Sequence, residues 1–117
     1  EEARFLVHCA AGKDRTGFAA ALVLQALGVP RDVVMHDYML TGRFFNPDRE
    51  MHRLKSKYGM EQVDADAVRP MLEVHEDYLS RALVSIEDNF GSVERYLEEA
   101  LGVGAAERAE LKARYLG

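Results

Sequence analysis

Cys9 and Arg15 stand six positions apart, inside the run His8-Cys9-Ala10-Ala11-Gly12-Lys13-Asp14-Arg15-Thr16-Gly17. A thiol, a short loop of small residues, an arginine and a hydroxyl residue together suit the binding of an anion. Successive loop N–H groups point inward, and a helix that follows adds its unpaired N–H groups and positive dipole end. Arg15 would clasp a phosphate through two parallel hydrogen bonds. The same field stabilises a thiolate, turning a thiol of pKa about 8.5 at Cys9 into a nucleophile. Ala10, Ala11 and Gly12 carry too little side chain to stop the backbone from curling round the ligand.

Such a loop needs a strand before it and a helix after it. Arg4-Phe5-Leu6-Val7-His8 is a short apolar, β-branched run that reads as a buried strand. From Gly17 to Leu27 the chain reads as a helix that is apolar on nearly every side, broken only by Gln25, and ends at Gly28. A helix of that kind is expected to be central and buried. Pro30 opens a second helix reaching Thr41-Gly42, and Asn46-Pro47-Asp48 opens a third, closed by Gly59. The spacing of Met71, Leu72, Val74, His75, Tyr78, Leu79, Ala82, Leu83 and Ile86 predicts one long helix over 66–89, with Pro70 in its first turn. Ser92 is expected to cap a helix over 93–101 that ends at Gly102, and a last helix covers 105–116.

One strand cannot satisfy its own backbone groups. The expected fold class is therefore α/β: one strand, the loop, and five to six helices. Residues 1–117 would form the C-terminal, mostly helical portion of a single domain whose other strands precede Glu1. With 48% apolar residues and one cysteine among 117, the chain is neither disordered nor a disulfide scaffold. No apolar run is long enough for a transmembrane segment. The net charge of −5 argues against a nucleic-acid partner. Residues 1–57 carry +2 and residues 58–117 carry −7, which assigns an anion site to the first half.

The run from His8 to Gly17 resembles the His-Cys-X5-Arg-Ser/Thr-Gly signature loop of the cysteine-dependent protein-tyrosine phosphatase superfamily. Its Gly-Lys-Asp-Arg-Thr-Gly form is similar to a bacterial and fungal branch, tyrosine phosphatase family 3, that also resembles myotubularin-type lipid phosphatases. Asp37-Tyr38-Met39-Leu40 and Phe90-Gly91-Ser92-Val93-Glu94-Arg95-Tyr96-Leu97 resemble the helices downstream in that branch. Gly42 departs from it, standing where the branch tends to have Asn.

The chemistry and the resemblance together assign roles. Cys9 attacks phosphorus and forms a phosphocysteine. The backbone of Ala10, Ala11, Gly12, Lys13, Asp14 and Arg15, with the Arg15 guanidinium, binds the phosphoryl oxygens. Thr16 donates to the sulfur as it leaves, and His8 orients the loop. The general acid is either Asp14 or a carboxylate upstream of Glu1. Lys13, a second cation in the loop, points to extra substrate charge such as that of a phosphoinositide. No metal or other cofactor is called for.

The other histidines, His36, His52 and His75, lack metal-ligand spacing, and His75 reads as a core residue. Arg43, Arg49, Arg53, Lys55 and Lys57 read as a solvated helix face before a lipid- or phosphate-recognition surface. Tyr58, Tyr78, Tyr96 and Tyr115 read as core or rim. The expected partner is a phosphorylated protein or phosphoinositide, with self-association through the exposed strand. The expected location is the cytoplasm, a secreted effector being the alternative. Against phosphotyrosine hydrolysis, extending to phosphoserine, phosphothreonine or phosphoinositides, stands a non-catalytic phosphate-binding module. Arsenate-reductase- or rhodanese-like loops lack the Gly-Lys-Asp-Arg-Thr-Gly pattern.

Overall fold

Local capping chemistry sets several of the helix ends. In the computed structural model, which describes residues 6, 9, 13–59 and 64–117, eight helices are present among those residues. They are α1 (Asp14–Ala26), α2 (Arg31–Met39), α3 (Thr41–Phe44), α4 (Pro47–Tyr58), α5 (Ala65–Leu72), α6 (Glu76–Phe90), α7 (Val93–Leu101) and α8 (Ala105–Tyr115). The Asn46 side chain accepts from the N–H groups of Asp48 and Arg49 at 3.0 and 3.1 Å, with Pro47 as the first helical residue of α4. Ser92 Oγ accepts from the Arg95 N–H at 3.1 Å to start α7. Gly59 (φ 63°) and Gly102 (φ 70°) close α4 and α7 in the left-handed region that glycine adopts without strain.

The six expected helices become eight for two reasons. Residues 41–44 form a separate turn after α2. The long helix expected over 66–89 is broken, with Glu73 (ψ 158°) and His75 (ψ 140°) extended between α5 and α6. Pro70 lies near the end of α5, not in a first turn, and its missing N–H weakens the ladder just before the break. His75 is consequently no core residue. It stands at the N-cap of α6 with its side chain 49% exposed, and its Nε2 lies 3.0 Å from a Glu73 carboxylate oxygen.

The core joins α1, α2, α6 and α7 through Ala21, Ala26, Val34, Tyr38, Leu79, Leu83, Ile86, Val93 and Leu97. The apolar stripe of α6 supplies three of these, Leu79, Leu83 and Ile86, all buried. Arg31 of α2 also meets Glu87 of α6 at 2.8 Å. By contrast, α4 packs chiefly on α5. The Cα radius of gyration, 16.9 Å, exceeds the ~13 Å of a compact domain of this length, so the helices are spread.

The structure does not single out α1 as the central helix: it packs on α2 and α7, and α6 likewise packs on both. The burial expected of α1 is only partial. Ala21 and Ala26 are buried, but Val23 is 46% exposed, beside a largely apolar groove of ≈ 360 Å³ shared with Leu97, Leu101 and Leu111. All regular structure among the described residues is helical. The strand expected over 4–8 falls outside them except for Leu6, which lies in neither helix nor strand and is 87% exposed. Among the described residues, no helix is long and apolar enough to cross a membrane.

Candidate active site

The first turn of α1 begins at Asp14, three residues earlier than the sequence suggests, so the second half of the candidate loop is already helical. Lys13 is its N-cap residue, and the Lys13 carbonyl accepts the Gly17 N–H at 3.0 Å. An acidic residue at the start of a helix faces the positive dipole end favourably. Asp14 has that position and is 58% exposed. Arg15 follows, also exposed, with no side-chain ion pair among the described residues. Cys9 is half-buried. His8, Ala10, Ala11 and Gly12 lie outside the described residues.

Thr16 is half-buried, and its Oγ1 is shielded from solvent without a hydrogen-bond partner among the described residues. Buried hydroxyls are seldom left so, because the loss of solvation costs about 1–3 kcal/mol. Gly17, next in line, lies against Tyr38 of α2, whose ring atoms would meet a Cβ there at 3.0 and 3.2 Å. The Tyr38 phenol is raised above its ordinary pKa, first by burial, then by the neighbouring Asp14 carboxylate and Tyr78. A cavity of ≈ 300 Å³ opens beside Asp14, Arg15, Phe18, Tyr38 and Tyr78.

Lys13 takes a different place from the one its charge suggests. Its side chain is 1% exposed, and Nζ donates to Asp14 Oδ1 at 2.5 Å and to the Glu73 carbonyl at 3.0 Å. The Tyr78 ring centroid lies 5.6 Å from Nζ. Burying an ammonium is tolerated when oxygens and an aromatic face replace its water. Lys13, Asp14, Pro70 and Tyr78 also line a second cavity, of ≈ 340 Å³.

The structure thus brings Lys13, Asp14, Arg15 and Thr16 together at the head of α1, with Tyr38 and Tyr78 from α2 and α6 against them. Neither tyrosine is named by the loop motif. Tyr38 is flagged only by the Asp37-Tyr38 pair, and Tyr78 has no sequence signal beyond its apolar spacing.

Residues 1–117 match the model of the tyrosine phosphatase family. A Cupriavidus necator protein named as a candidate tyrosine-protein phosphatase is 40% identical over 95% of the chain and 39% of the relative. The triple specificity protein phosphatase PtpB of Mycobacterium tuberculosis is 35% identical over 96% of the chain and 44% of the relative. A tyrosine-protein phosphatase of Nostoc commune is 30% identical over 97% of the chain and 40% of its own length. The chain spans about two fifths of the curated relatives it matches.

Proposed function

The chain belongs to the tyrosine phosphatase family, and we propose that residues 1–117 carry the signature loop and helices of a phosphatase domain that hydrolyses phosphotyrosine monoesters. The observation that carries this reading is the Cys9-to-Arg15 run ending in the first turn of α1. The Cys9 thiolate attacks phosphorus in line, the S–P bond forms, and the ester P–O bond breaks. Asp14 gives its proton to the departing oxygen. A water then attacks the phosphocysteine, Asp14 takes the water's proton, and the S–P bond breaks to return the thiolate. Exposure of Asp14 and Arg15 at the helix head supports these roles, as does an Arg15 guanidinium without an ion pair among the described residues. Loop amides from Ala10 to Arg15 and that guanidinium hold the equatorial oxygens, and His8 steadies the loop. The Thr16 hydroxyl, buried without a partner among the described residues, is suited to donate to the leaving sulfur.

A wider range, taking in phosphoserine, phosphothreonine or phosphoinositides, is a second reading, supported by the name of the mycobacterial relative. The engagement of Lys13 by Asp14 and Glu73 gives the phosphoinositide branch less support than its charge alone suggests. In the whole protein, Cys9→Ser should lower turnover of a phosphotyrosine peptide by more than about a thousandfold while still binding it. Turnover that survives the substitution contradicts the nucleophile. Binding without turnover by the unsubstituted protein identifies a non-catalytic phosphate-binding module instead.

A further inference from the structure

The break between α5 and α6 does something that an unbroken helix could not. Within a helix, the Glu73 carbonyl would be taken by an N–H four residues on. Here the chain leaves α5 at Glu73 in extended geometry, and that carbonyl instead accepts from Lys13 Nζ, sixty positions away in sequence. Tyr78 fixes the other side of the break. Its hydroxyl donates to the Pro70 carbonyl at 2.6 Å, its ring meets the His75 ring edge-on at 5.1 Å, and its face lies 5.6 Å from Lys13 Nζ. Lys13 in turn reaches Asp14 at 2.5 Å.

We infer that Tyr78 is a positioning residue, whose ring and the neighbouring Glu73 carbonyl hold the Lys13 ammonium where it orients the Asp14 carboxylate. This rests on the reading of Asp14 as the general acid. An ammonium has three donors, two of them used here by oxygens 2.5 and 3.0 Å away. The aromatic face offsets part of the remaining loss of water. With the ring gone, water reaches Nζ, and the Lys13 side chain gains conformations in which it no longer constrains Asp14.

The test compares Tyr78→Leu and Tyr78→Phe in the whole protein. Because Tyr78 is 39% exposed, neither substitution opens the core. Tyr78→Leu should reduce kcat/KM for phenyl phosphate about tenfold more than for p-nitrophenyl phosphate, whose leaving group needs little protonation. Tyr78→Phe keeps the ring face and should restore the wild-type ratio. Nitrogen-15 NMR of the Lys13 ammonium reads the hold directly, and its proton exchange should speed up in Tyr78→Leu but not in Tyr78→Phe. Unchanged exchange in Tyr78→Leu, equal losses on both substrates, or a phenylalanine variant as impaired as the leucine one overturns the proposal. Asp14→Asn is the control. If it lowers both substrates equally, the reading of Asp14 as acid fails, and the exchange measurement alone then supports or overturns the hold on Lys13.

Discussion

Tyr38 lies so close to Gly17 that a Cβ on the glycine would stand 3.0 Å from the ring Cε1. The ring is 6% exposed and belongs to the core that joins α1, α2, α6 and α7, so displacing it disturbs that packing. Helix propensity alone would favour alanine at position 17 by about 1 kcal/mol. Overpacking against a buried ring costs about 1–3 kcal/mol, so the clash outweighs the gain. Gly17→Ala should therefore lower the urea midpoint, with the m-value unchanged, by a net destabilisation of about 1 kcal/mol.

Tyr38 also gives the fold a pH dependence at the alkaline end. Its pKa is raised above the ordinary 10.0, burial being the largest cause and the Asp14 charge the next. The folded chain therefore holds the phenolic proton more tightly than the unfolded chain does. Below pH about 10 both states are protonated and the contribution is complete; as pH rises through the folded value it is lost. Urea unfolding of Tyr38→Phe should show a shallower alkaline fall in stability than the unsubstituted protein. Parallel curves above pH about 10 would mean that Tyr38 is not the group responsible.

Leu83 is 1% exposed at the centre of the α1–α2–α6–α7 core, while its neighbour Val84 is 53% exposed. Leu83→Ala should cost about 3 kcal/mol through lost burial and a residual cavity. Val84→Ala should stay within about 0.5 kcal/mol. Similar losses at both positions would contradict the register of α6.

The parts of this fold that rest on neighbours in sequence were legible there. Asn46, Ser92, Gly59 and Gly102 mark helix ends because capping chemistry involves atoms only a few residues apart. The break at 73–75 was not legible. Leu72, Val74 and Leu79 keep an apolar spacing that reads as one helix, and what opens it includes the Lys13 contact with Glu73. Lys13 itself reads as a substrate-facing cation because loop composition cannot announce a carbonyl sixty residues on. The apolar surround of α1 signals burial but not how much, and with α2 and α7 as its main neighbours Val23 is left 46% exposed. For the site, Cys9, Asp14, Arg15 and Thr16 come from the motif and Tyr38 is hinted at by the Asp37-Tyr38 pair, whereas the place of Tyr78 emerges only from packing.

The central claim is a covalent bond between phosphorus and the Cys9 sulfur, and rapid acid quench of the whole protein during phosphotyrosine-peptide turnover tests it most directly. Mass spectrometry of the digested protein should find a phosphoryl group on the peptide holding Cys9, absent in Cys9→Ser. Loss of the Thr16 hydroxyl in Thr16→Ala should raise its steady-state level by slowing departure of the sulfur. Full turnover with no phosphoryl group on Cys9 at any quench time, or the same label in Cys9→Ser, would contradict the account.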